Sequence, residues 1–142
     1  MKTQLNNELK EIFNDYQSVK EKMNVIDEET CKFTDKVDNY CNKIVEPTNS
    51  KNASWEDGAR VYLKACIYSL LEENNEELLN IEKLEEMILI NIPSTERLSK
   101  HQELFDNKSE KVKEMASIVM GEARKMADNY LLELQSHFDK IK

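Results

Sequence analysis

Leu5, Leu9, Ile12, Phe13, Tyr16, Val19 and Met23 recur every three or four residues and predict a first helix from about residue 2 to 23. "NVIDEE" then reads as a turn. Asp27 is its candidate N-cap, because a carboxylate there can accept from the free amides ahead. Phe33, Val37, Tyr40, Cys41, Ile44 and Val45 mark a second helix, stopped by Pro47, which has no amide to continue the ladder. "PTNSKNA" follows as a polar connector. In the third helix Trp55, Ala59, Tyr62, Leu63, Cys66, Ile67 and Leu70 form one face, and Val61, Ala65, Tyr68 and Leu71 widen it. A helix apolar over most of its circumference packs against several others, so this one is expected at the centre. Ser54 with Asp57 resembles a capping box at its start, and Gly58 with Ala59 would admit a neighbouring helix closely. "EENNEE" breaks the run. Leu78, Ile81, Leu84, Met87 and Ile88 give a short fourth helix halted near Pro93, and "STERLSKHQELF" a brief fifth with Ser94 as its cap. From Val112 to Phe138 the period continues as one long helix over about 109–140, with Gly121 as the place for a bend. No strand is predicted: the fold class is all-α, a compact bundle of five to six helices.

Composition agrees with that reading. The 142 residues suit one domain with a substantial core, and two prolines with two glycines are too few for the many turns of a sandwich or barrel. No window reaches the ~18 consecutive apolar residues of a transmembrane helix. The opening "MKTQLNNELKEIF" is amphipathic and carries Glu8 and Glu11, unlike a signal peptide. A net charge of -8 disfavours wrapping nucleic acid along a basic face and favours basic partners. Cys31, Cys41 and Cys66 form no Cys-x-x-Cys and read as reduced, mostly buried small hydrophobes in a cytosolic protein.

Several kinds of chemistry lack their residues. A phosphate-cradling loop needs several glycines before a lysine, whereas Gly58 and Gly121 stand alone, so no nucleotide is expected to bind. Neither His101 nor His137 has Glu three residues before it, which removes a di-iron site, and His-Glu-x-x-His is missing. Both histidines read as surface residues. "EENNEE" and "EKLEEM" lack the alternating acids around a glycine that a calcium loop uses, and read as solvated helix faces. The expectation is a binding module with no catalytic residues, no cofactor and no metal.

"SWEDGARVYLKACIYSLLEEN" resembles the start of the all-alpha domain of TraG/TraD-like type IV secretion coupling proteins, where a Trp-acid-x-small-Ala segment leads into an apolar helix. Trp55, Glu56, Ala59, Leu63, Ala65, Ile67, Leu70, Leu71 and Glu72 fall in step with it. "ASIVMGEARKMADNYLLELQ" resembles the family's closing helix through Ser117, Gly121, Arg124, Leu131 and Leu134, and "VDNYCNKIVEPTN" the helix and loop before the tryptophan. The likeness runs in order over about residues 33 to 138 and leaves 1 to 30 unplaced. Ser54 stands where the family often has an aromatic. Coupling proteins are hexameric, membrane-tethered ATPases that deliver relaxase–DNA complexes or effector proteins to a secretion channel. The resemblance implies the substrate-recognition domain alone, cytoplasmic, monomeric when isolated and without membrane contact of its own. The other reading is a free-standing acidic adaptor or secretion chaperone.

Two charged sets are the candidate partner-binding residues. Glu72, Glu73, Glu76 and Glu77 would steer a basic protein, and the resemblance makes that protein a relaxase, a relaxosome accessory factor or an effector. Lys108, Lys111, Lys113, Arg124 and Lys125 are the densest positive region and would bind DNA weakly and without sequence preference. Trp55 is expected to pack the base of the third helix against the last one, and an inserted domain would have both chain ends on one side of the bundle.

Overall fold

The computed structural model describes residues 1–48, 51, 53–120 and 124–141. Among them run seven α-helices and no strand: α1 (Lys2–Val19), α2 (Glu28–Ile44), α3 (Ala53–Glu72), α4 (Ile81–Glu86), α5 (Ser94–Phe105), α6 (Glu110–Met120) and α7 (Arg124–Ile141). The stretch expected as one long helix is thus described as α6 and α7, and Gly121, the place for a bend, lies outside the described residues. Short 3-10 turns at Lys20–Lys22 and Glu76–Leu78 extend α1 and bridge α3 to α4.

α3 is the central helix. Tyr62, Leu63, Cys66, Ile67 and Leu71 are fully buried, and α2, α6 and α7 all lie against it. Gly58 lies against the Tyr130 ring of α7: a Cβ there would lie 2.2 Å from its Cε1. Trp55 meets the same ring edge-on at 5.3 Å, as expected of a residue joining α3 to the last helix. α1 and α2 form an antiparallel pair, with Lys43 paired to Glu8 at one end and Tyr16 5.8 Å from Phe33 at the other.

The capping chemistry explains where the helices begin. Asp27 caps α2 as expected: its carboxylate accepts from the Thr30 amide at 2.9 Å, while the Thr30 hydroxyl accepts from the Asp27 amide at 3.1 Å. Two other expected caps are corrected. α3 already begins at Ala53, so Ser54 lies inside it, and Asp57 pairs with Arg60 one turn on. α5 begins at Ser94 itself, with Pro93 at the capping position, where its fixed φ of -53° leads into the helix. α4, six residues long, is held from two sides. The Asn80 side chain accepts from the Lys83 amide, and Asn6 of α1 accepts from the Ile81 amide, both at 2.8 Å.

The first and last helices both reach α4. Lys2 pairs with Glu82 of α4 at 2.6 Å, and Gln135 of α7 donates to Glu85 of α4 at 2.6 Å. No helix among the described residues is long and apolar enough to cross a membrane.

Candidate partner-binding surfaces

The two charged sets expected to act separately meet at the junction of α3 and α6. Glu73 pairs with Lys108, whose side chain is only 6% exposed. Both oxygens of Glu72 are taken by Ser109, one by its amide at 2.9 Å and the other by its hydroxyl at 2.6 Å. Ser109 precedes α6, so Glu72 places a carboxylate at a helix N-terminus, where the free amides favour negative charge. These contacts tie the exit of α3 to the entry of α6. Lys108, Glu72 and Glu73 are therefore a structural clasp as well as surface charge.

Glu76 and Glu77 stand exposed on the 3-10 turn, beside a groove they share with Asn6, Lys10 and Asn80. Past them, Glu82, Glu85 and Glu86 line a groove of about 560 Å³ with Ile90 and Asp139. From Glu72 to Glu86 the chain carries seven glutamates against Lys83 alone. Glu76, Glu77, Glu82 and Glu86 are exposed along this segment, with Glu82 paired to Lys2. Of the basic set, Lys111 is exposed and Lys113 half-buried on α6. The side chains of Arg124 and Lys125 lie outside what is described.

A second feature unites residues from both sets. The end of α1, the end of α3 and the start of α6 enclose a cleft of about 400 Å³ with Tyr16, Met23, Tyr68, Val112 and Met115 along its walls. Lys20, Asn24, Glu72, Ser109 and Lys111 complete it. Burial, then the Glu72 and Glu21 carboxylates, raise the Tyr16 phenol above its ordinary value, so it stays protonated.

Three polar residues were not legible as structural groups. Glu56 is 4% exposed, and its carboxylate accepts from the Thr48 hydroxyl at 2.8 and 2.9 Å and from the Thr48 amide at 3.2 Å, which fastens the α2–α3 connector. Arg97 donates to the carbonyls of Leu89 at 3.1 Å and Ile92 at 3.0 Å and pairs with Asp128. It satisfies a loop whose Leu89 sits at φ 58°. His101, expected at the surface, is 1% exposed. Its Nδ1 lies 2.5 Å from the Tyr62 hydroxyl, which donates to the Met87 carbonyl at 3.1 Å, and its ring stands edge-on to Tyr62. Burial, then the Arg97 charge, lower the imidazole to about 4 against a smaller opposing pull from the Ile88 backbone. It is neutral at pH 7 and latches α5 to α3. The one available sequence signal is its place four positions before the apolar Phe105, one helical turn away, and it is a weak one. His137 is half-buried, 3.2 Å from Glu133.

The thiols divide by burial: Cys31 is exposed, while Cys41 and Cys66 are buried. Burial pushes Cys41 up to about 12, far from the thiolate a nucleophile needs. Among the described residues no group of three His, Cys, Asp or Glu side chains is placed to hold a metal.

No family model, curated protein or solved structure matches the chain.

Proposed function

We propose that this chain is a recognition domain that binds a basic protein through the acidic surface running from Glu72 over α4. The observation that carries the reading is the concentration of Glu76, Glu77, Glu82, Glu85 and Glu86 along one connector and its neighbouring short helix. Such a field steers a basic partner into encounter and repels the phosphate backbone. The basic residues that would oppose it are partly consumed, since Lys108 is committed to Glu73.

Within this class, the sequence resemblance favours the substrate-recognition domain of a TraG/TraD-like coupling protein, with a relaxase or relaxosome accessory factor as cargo. The helical bundle and the contact of both terminal helices with α4 suit a domain inserted in a larger host. The test is a titration of the domain against relaxosome proteins and against DNA alone, each at low and physiological salt. The proposal expects protein binding that slows when Glu76, Glu77 and Glu86 are reversed to lysine, and DNA binding that vanishes at physiological salt. Tight, salt-resistant binding to DNA with none to protein overturns it. A reading frame that continues on both sides into a nucleotide-binding motor separates the coupling protein from a free-standing adaptor.

A further inference from the structure

We propose that the cleft between α1, α3 and α6 is a binding site for a small amphipathic carboxylate, a molecule with an apolar body and one anionic end. This goes beyond protein recognition and does not rest on it. Small-molecule sites are concave, largely apolar, and carry a few polar groups that fix orientation. At about 400 Å³, with two tyrosines, two methionines and a valine on its walls, this cleft has that form. Methionine side chains adapt to an apolar body of irregular shape. Tyr68 packs edge-on against Phe33, 6.2 Å away, which in turn meets Tyr16, so that wall is a chain of packed rings.

The charge around the cleft selects the sign of the polar end. Lys20 and Lys111 contribute two ammonium groups and Glu72 one carboxylate. Glu72 is held by Ser109, each oxygen accepting one bond, and keeps its negative charge. Lys20 hydrogen-bonds the neutral amide oxygen of Gln17 at 2.8 Å and forms no ion pair with another described residue. Lys111 is exposed and forms no ion pair with another described residue. With Glu72 counted at its full charge, the lining still carries two ammonium groups against one carboxylate, a local exception in a chain of net charge -8. Because three helices contribute its walls, a bound molecule would clamp them together and raise the unfolding temperature.

The experiment uses octanoate, with 1-octanol as the uncharged counterpart of the same chain length. Binding is followed by the NMR signals of the Met23 and Met115 methyls and by thermal unfolding. Saturable octanoate shifts at both methyls are expected, with 1-octanol binding about tenfold more weakly. The exposed K111E substitution combined with K20E should abolish that preference while leaving the fold intact. M115W, which fills the cleft, should remove binding of both ligands. The proposal is overturned if octanoate produces no saturable shift, if octanol matches octanoate in the wild type, or if M115W binds as well as wild type. Self-association that masks Met23 and Met115, depends on Lys111 and resists octanoate would give the cleft to a second copy of the chain, and also overturn it.

Discussion

Acidification should loosen this bundle through His101 before most of its carboxylates are protonated. In the unfolded chain the imidazole titrates near its ordinary value of 6.5, and in the bundle at about 4. Between those values the unfolded state binds the proton and the folded state does not. Stability therefore rises with pH across that window, is fully present above it, and is lost as pH falls from 6.5 toward 4. The whole shift is equivalent to about 3 kcal/mol, of which about 2 kcal/mol is lost on going from about pH 7.5 to about pH 5. The physical cause is specific. An imidazolium would be 1% exposed and near the Arg97 guanidinium, and Nδ1 already faces the Tyr62 hydroxyl. The assay is urea unfolding of the wild type and of His101→Leu at several pH values through the window. Leucine has a similar volume, and Tyr62 keeps its bond to the Met87 carbonyl. Other groups titrate in both proteins, so the difference between the two curves isolates the histidine. The wild type should lose about 2 kcal/mol more than the variant between those pH values, or about 6 °C in melting temperature. If the two pH dependences superimpose, the latch is not a buried neutral histidine.

Gly58→Ala should destabilise by about 1–3 kcal/mol in chemical denaturation despite alanine's better helix propensity, because the added Cβ would lie 2.2 Å from the Tyr130 ring; a more stable variant would mean α7 yields freely. Trp55→Ala should cost about 2–3 kcal/mol, below the cost of a fully buried tryptophan because Trp55 is only partly buried against Tyr130. An unchanged melting temperature would make the indole free for a partner. Asp27→Asn should keep α2 capped, since asparagine also accepts from the first-turn amides. The Asp27 carboxyl is held at about 2, chiefly by the Thr30 amide and then by Lys22, so its stabilisation is present above its ordinary 3.8 and lost as pH falls through about 2. The asparagine variant should lack that part of the acid sensitivity, read by circular dichroism below about pH 4; an identical acid limb would contradict it.

The order and type of the helices, and α3 as the central one, were legible because burial on a helix repeats every three to four residues. Leu5, Leu9 and Ile12 on α1 and Tyr62, Leu63, Cys66 and Ile67 on α3 carry that signal without reference to anything distant. Asp27 was legible for the same reason: its cap reaches only three residues ahead. Ser54 and Ser94 show the limit of local reading. Each looked like a cap, yet both helices start earlier than such a cap requires, α3 at Ala53 and α5 at Ser94 itself. What only the tertiary structure decided are the partnerships between residues far apart in sequence: His101 with Tyr62, Arg97 with Asp128, Asn6 with the Ile81 amide, and Glu72 with Ser109. A polar side chain in a periodic pattern reads as solvent-facing by default, because its hydrogen bonds can be met by water. Whether they are met instead by another helix depends on how the helices dock. That docking brought one end each of α1, α3 and α6 together to form a cleft that no single stretch of the chain contains.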